Sequence, residues 1–393
     1  MPKTLFLIGT LPPPVTGQSV LFSLLTQRLS EHQVKYRVIN TALTLTGQNY
    51  QGFSWNRAIS LVPSFLHALP LIFYHRTTVY MTIANSWNGF LKDLVFLTIA
   101  RIRGHRIIVH CHGGNYKEFY SQSSLIAKWL IRTTIGSADS LVILSNVFRP
   151  DFYFLKDFNT KIVVVANGLT HTIPSLNTLT STNTEIPLCL RAEQPHHLRI
   201  LFFSNLIETK GYLVLLEAVN ILVNQYQISL SAHFCGEFLL VGSTPSYPTV
   251  AEAEADFRVR IQNYGLAENV VVRGSISGEE KHRELLEGDI FVLPTTYQNE
   301  AQPVAIIEAL AYGCTVISTP HRAIPEMLDY GKAGILIEPN RADLIADQIL
   351  KIQKEPTLLS EYGRRARQQY LRCFRPETHW DNKIGRASCR ERV

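Results

Sequence analysis

The sequence predicts an α/β protein of two doubly wound, parallel-sheet (Rossmann-like) domains. Three observations carry this. Short apolar runs of four to six residues alternate with longer stretches of helical apolar spacing. The alternation breaks at a segment over 170–185 rich in Ser, Thr, Asn and Pro, then restarts. The length of 393 residues, with 46% hydrophobic and 18% charged side chains, suits two domains of about 100–200 residues, each with its own core. Strands alternating with helices imply parallel sheets covered on both faces.

In the first half, 4–8, 79–83, 106–110, 140–144 and 161–165 read as strands, because they are short, apolar and rich in β-branched residues. Helices are expected over 19–29, 89–102 and 125–135 from their i, i+3, i+4 apolar spacing. Segment 170–185 has no periodicity and reads as a linker. Beyond it, strands are expected at 198–204, 230–235, 270–273, 289–293, 315–318 and 334–337. Helices are expected at 212–223, 253–264, 279–286, 304–312 and 341–353. The expected domains are 1–185 and 186–370, followed by a segment 371–382. The tail 383–393 continues no apolar stripe and reads like translated cloning sequence, outside the functional reading.

Composition narrows the function. Six Cys are scattered at 111, 189, 235, 314, 373 and 389 with no CxxC. That argues against a disulfide framework or zinc ribbon and fits reduced thiols in the cytoplasm. Residues 1–190 hold 16 Lys+Arg against 7 Asp+Glu, a net +9, while the remainder holds 22 against 25, a net −3. The basic half should meet something anionic. Nucleic acid is not expected, because there is no zinc finger, ribonucleoprotein box or dense cationic run. An anionic membrane surface or a phosphorylated acceptor remains. The apolar stretches 61–73 and 94–100 fall short of the roughly 20 residues of a spanning helix. Cations flank them: Arg57, His75 and Arg76 around 58–73, and Lys92, Arg101, Arg103 and Arg106 around 94–102. The expectation is a cytoplasmic protein, peripheral on the inner face of the membrane.

The strongest chemical signal runs from Glu300 to Gly313. Every residue from 304 to 312 is apolar or aromatic except Glu308, so that acid has no solvated face. A buried carboxylate is costly without donors. A diol such as a ribose would supply them; a bond to loop backbone is the alternative reading. Glu300 stands before the helix, at the mouth of the preceding strand. Lys210 falls at a helix N-terminus, the wrong end for a cation, and a bound phosphate would satisfy both; a solvated loop lysine is the alternative. Gly17 follows strand one in a loop that suits a backbone cradle, although GxGxxG is missing. At the end of the third expected strand, alternation sets His110 and His112 on one side and Cys111 on the other. That disfavours a His–Cys–His metal triad and leaves His112 as either a functional or a core histidine. P-loop, GxSxG, HExxH and Asp-x-Asp patterns are absent.

Over nearly its whole length the sequence resembles glycosyltransferase family 4, retaining enzymes of the two-domain GT-B fold. The most specific element is Glu-x7-Glu, here Glu300 and Glu308, followed by Ala-x-Gly and a strand. The resemblance implies that Glu300 contacts the donor sugar and Glu308 holds the nucleotide ribose. It implies that Lys210 binds the donor diphosphate, Gly17 lies near it, and His112 lies near the sugar. Asn167-Gly168 matches the turn that closes the first, acceptor-binding domain, and 371–382 would cross back to it. The second domain would bind a nucleotide diphosphate sugar of UDP or GDP type, with no metal and no other cofactor. The acceptor would be a glycan or lipid-linked molecule, in polysaccharide or glycolipid assembly. Two departures stand out. The family's arginine beside the lysine is Asn205, leaving Lys210, helix dipoles and Arg273 to hold the diphosphate. The usual Gly-Phe-Gly-type run is replaced by Ala301-Gln302-Pro303, which with Val304 should bear on donor choice. A nucleotide-sugar 2-epimerase of the same fold and a non-catalytic sugar-nucleotide-binding protein are the rival readings.

Overall fold

The computed structural model describes residues 4–12, 17–41, 62–169, 197–241 and 246–376. The chain divides into two compact units that part between residues 169 and 197. The expected linker at 170–185 lies outside the described residues, as does everything from 377 on, including the tail and the second half of the segment 371–382.

The first unit runs β1 (Leu5–Gly9), α1 (Gly17–Glu31), β2 (Tyr36–Asn40), α2 (Val62–Phe73), β3 (Thr78–Ile83) and α3 (Trp87–Ile102). It continues with β4 (Arg106–Cys111), α4 (Tyr116–Ser121), α5 (Leu125–Gly136), β5 (Ser140–Ile143), α6 (Phe158–Lys161) and β6 (Ile162–Val164). All strands pair parallel in the order β2-β1-β3-β4-β5-β6. Leu7, Tyr80, Ile108 and Val142 point to one face and pack with Phe22, Leu25 and Leu29 of α1. Their neighbours Phe6, Ile8, Val79, Met81, Ile107 and Val109 are buried too. Burial on both faces is why these strands read as continuous apolar runs.

Four elements here escaped the sequence reading: β2, α2 and the short helices α4 and α6. Strand β2 lies at the sheet edge, half-buried, with Arg37 in its middle. Helix α2 carries Pro70 inside it. Helix α3 is a sheet cover: Phe90, Phe96, Leu97 and Ala100 are buried, while Trp87 at its start and Ile102 at its end are exposed.

The second unit runs β7 (Leu198–Phe203), α7 (Tyr212–Asn220), β8 (Leu230–Cys235), α8 (Val250–Asn263), β9 (Val270–Gly274), α9 (Gly278–Glu287) and β10 (Ile290–Leu293). Then come α10 (Val304–Ala311), β11 (Thr315–Ser318), α11 (Ile324–Met327), β12 (Ile335–Leu336), α12 (Ala342–Lys354) and α13 (Thr357–Cys373). The strands are again all parallel, ordered β12-β11-β10-β7-β8-β9. The direction of winding reverses between β7 and β10. In such sheets ligands bind beyond the carboxyl ends of the strands at that reversal.

The helix expected over 212–223 ends at Asn220, where a π-type turn over Ile221–Gln225 takes over. Helix α13 was not expected. Its buried residues Leu359, Gly363, Ala366 and Tyr370 nevertheless follow helical spacing. It packs on α10 and β11 within this unit, and its Arg367 donates to the Ala311 carbonyl. Among the described residues, no helix is long and apolar enough to cross a membrane.

Candidate active site

The site grows from the loops after β7 and β10, at the reversal point. Phe203 and Ser204 end β7, a short 3-10 turn follows at Glu208–Lys210, and α7 begins at Tyr212. Gly211 makes this turn possible: its φ is +84°, and a Cβ there would lie 2.6 Å from the Pro294 carbonyl oxygen, just past β10. The two loops are joined directly as well, since the Thr296 amide donates to the Thr209 carbonyl at 2.7 Å.

From the other side the β10 loop is held by the loop after β11. Thr319 Oγ1 donates to the Thr295 carbonyl at 2.5 Å, His321 Nε2 to that of Tyr297 at 2.8 Å, and Arg322 to that of Gln298 at 3.1 Å. Glu300 is thus delivered by a loop braced on two flanks. Its carboxylate is 10% exposed and meets Lys210 Nζ at 3.2 Å. Lys210 also donates to Ser204 Oγ at 2.9 Å and sits 5.3 Å from the centre of the Tyr297 ring.

Glu308 is buried, as its all-apolar helix requires. Its donor in this structure is neither a diol nor loop backbone but a lysine. Lys281 Nζ, from α9, donates to Glu308 Oε1 at 2.6 Å and lies 4.9 Å from the centre of the Phe203 ring. Phe203 and Ser204 are consecutive, so the end of β7 touches both lysines. One turn beyond Glu308, the Tyr312 hydroxyl shares a hydrogen bond with His282 of α9, the neighbour of Lys281. Burial first, then the Glu308 charge, pushes the Tyr312 phenol well up. Lys281→Met should cost about 1–3 kcal/mol in urea unfolding, because it strands a buried carboxylate. Lys281→Met/Glu308→Leu should recover most of that loss, since removing both partners is cheaper than removing one.

Lys281 was missed by the sequence reading. The signal that found Lys210 also marks it: a lysine in the first turns of a helix stands against the dipole. Arg273 lies at the end of β9, where its guanidinium meets Glu280 at 3.4 Å and Glu284 at 3.1 Å. Glu284 also takes Arg199 at 3.5 Å and the Nδ1 hydrogen of His233 at 2.8 Å. Arg273 is therefore tied to α9, and none of its contacts here involves Lys210 or Glu300. Ala301, Gln302 and Pro303 are buried beside Glu300, and Val304 opens α10 half-buried.

The His233 cluster sets a pH dependence. Burial, then the Arg199 charge, holds His233 below its ordinary pKa near 6.5. The unfolded chain takes up that proton near pH 6.5 while the folded one does not. Stability is thus full above pH 6.5 and falls as pH drops below it. Urea melts between pH 5 and 8 should show this slope, and His233→Gln should flatten it.

In the first unit, His112 follows β4, half-buried, its ring 3.9 Å from that of His110. The expected shared side of these two histidines is observed. Cys111 faces away, and burial pushes its thiol up to about 12. Gly17 opens α1, and the loop residues 13–16 before it lie outside the described set. Among the described residues no group of three or more His, Cys, Asp or Glu could hold a metal ion.

A lysine–glutamate pair thus stands at the reversal point of a doubly wound sheet, the place where ligands of such sheets bind. Residues 192–369 match the family model of glycosyl transferases group 1. The amylovoran biosynthesis glycosyltransferase AmsK of Erwinia amylovora is 32% identical over 171 residues, 42% of this chain and 39% of that protein. The N-acetyl-alpha-D-glucosaminyl L-malate synthase of Bacillus anthracis is 24% identical over 69% of this chain and 65% of that one. The chain thus covers less than two thirds of either relative's length. In fold it resembles Anabaena HepE, solved with UDP and glucose, at a TM-score of 0.68, 16% identity and full coverage of both chains.

Proposed function

We propose that the chain is a retaining glycosyltransferase. It moves a sugar from a nucleotide diphosphate donor, of UDP or GDP type, to an acceptor hydroxyl. The observation that carries this is the Lys210–Glu300 pair at the reversal point of the second sheet, 3.2 Å apart and held in braced loops. The UDP in the HepE structure and the polysaccharide role in the name of AmsK support the donor class and a place in cell-surface polysaccharide or glycolipid assembly.

In this reading Lys210 and the first-turn N–H groups of α7 meet the diphosphate, where charge grows as the donor bond breaks. Glu308 takes the ribose hydroxyls, with Lys281 orienting the carboxylate. Glu300 faces the sugar, and the run Ala301-Gln302-Pro303-Val304 shapes its side of the donor. Gly17 and His112 serve from the first unit. Arg273 contributes only if it gives up Glu284. The bond from the anomeric carbon to the phosphate oxygen breaks, the acceptor oxygen bonds to the same face, and the acceptor proton passes to the departing phosphate. No metal is required. The acceptor is a glycan or a lipid-linked molecule, and the net +9 of residues 1–190 suits a peripheral position on an anionic inner membrane face.

The test is product analysis with UDP- and GDP-sugars, with and without a polyprenyl-phosphate-linked sugar. Transfer with retained anomeric configuration is expected. An isomerised donor without acceptor would make the protein an epimerase. Nucleotide binding with neither product would make it a binding protein.

A further inference from the structure

We propose that the outer face of α5, Leu125, Ile126 and Trp129 flanked by Lys128 and Arg132, docks this protein on an anionic lipid bilayer. The inference rests on the proposed lipid-linked acceptor at a membrane. These three apolar side chains are 84%, 76% and 63% exposed. On the other side of the helix Ala127, Ile131 and Ile135 are buried. At 3.6 residues per turn Leu125, Ile126 and Trp129 share one face, so the exposed set is a second stripe, not scatter. The helix carries no acidic residue. Its two cations border the stripe: Arg132 is exposed, and Lys128 lies 5.8 Å from the Tyr120 ring centre. Apolar residues with a tryptophan, edged by cations, are the composition that sits in a bilayer interface.

The support beneath is stiff. Tyr120 stacks on Phe154 at 3.9 Å and Tyr116 on Phe152 at 4.9 Å. Ser124 caps the helix by accepting from the Ala127 amide. A second copy of this chain is a poorer occupant. Three side chains offer roughly 450 Å², against about 800 Å² per partner in a stable interface.

Position within the unit selects α5 over the cation-flanked segments singled out in the sequence. Phe73 and Ile102 are each 76% exposed. They end α2 and α3 just before β3 and β4 begin, so they and Arg76, Arg101 and Arg103 lie at the amino edge of the sheet. Helix α5 starts beyond the carboxyl end of β4, at the edge that carries His112. Ligands of open α/β sheets bind at that carboxyl edge. A bilayer at α5 would therefore present a lipid-linked acceptor to the correct edge.

The experiment uses the full chain and vesicles of phosphatidylcholine with or without about one third phosphatidylglycerol. Wild type should co-sediment only with the anionic vesicles, and added salt should release it. Leu125→Ser/Ile126→Ser/Trp129→Ser should lose at least tenfold in vesicle affinity, with melting temperature and thermal shift by UDP unchanged. Lys128→Gln/Arg132→Gln should weaken binding severalfold, and Phe73→Ser/Ile102→Ser should not. Brominated lipid chains should quench wild-type fluorescence more than that of Trp129→Phe. If wild type binds and the triple variant binds equally, or Phe73→Ser/Ile102→Ser loses binding instead, the docking face is elsewhere and this inference is overturned while the membrane reading stands. If wild type binds no vesicle, the membrane reading itself falls. A concentration-dependent dimer that the triple variant abolishes would assign the stripe to a second copy and overturn the proposal.

Discussion

Glu300→Ala is expected to abolish sugar transfer and to leave nucleotide affinity within about threefold of wild type. The direction follows from where the acid sits. It stands at the tip of the β10 loop, ahead of α10, whereas Glu308 lies about one turn inside that helix. A group that stabilises the reacting sugar acts on the rate and not on the grip on the nucleotide. Losing one preorganised electrostatic contact costs about 10²–10³-fold in rate. Rate measurements on labelled donor, paired with UDP titrations, check both halves. A variant that transfers normally would remove Glu300 from the chemistry.

Lys210→Ala is expected to damage both binding and rate. Its ammonium is the cation between Ser204 and Glu300, and Asn205 offers no charge beside it. A charge-assisted contact contributes about 1.5–3 kcal/mol, so UDP should bind about ten- to a hundredfold more weakly. The rate should fall further, because the diphosphate gains negative charge as it leaves. Lys210→Arg should restore binding better than rate, since a planar fork cannot reproduce the placement of a point charge. A UDP titration on Lys210→Ala that matches wild type would place the diphosphate elsewhere.

Much of this was legible in the sequence because it depends on local rules. The strands at 230–235 and 315–318 coincide with β8 and β11, since both are buried on two faces and bounded by sharp breaks. Glu308 betrayed itself by standing alone in an apolar helix. What stayed hidden depends on partners distant in sequence. Nothing near Glu308 announces that Lys281, 27 residues earlier, will meet it. Nor does anything near Arg273 announce that Glu284 will hold it. Strand β2 was lost because an edge strand with Arg37 lacks the apolar run of its neighbours. Helix α13 was lost because four arginines mask a stripe of only a few buried side chains.

The two lysine–glutamate pairs are each closed on themselves. Each carboxylate already has its own ammonium, at 3.2 Å and 2.6 Å, so neither pole waits uncompensated for a ligand. If the donor binds as proposed, its entry would be an exchange of partners. A diphosphate would take Lys210 from Glu300, because it returns more charge than it displaces. In the same movement it would free that carboxylate to face the sugar. A nucleoside would have nothing to offer in return. It would have to settle beside a closed pair, so a site of this kind would screen for phosphate before it read either the base or the sugar.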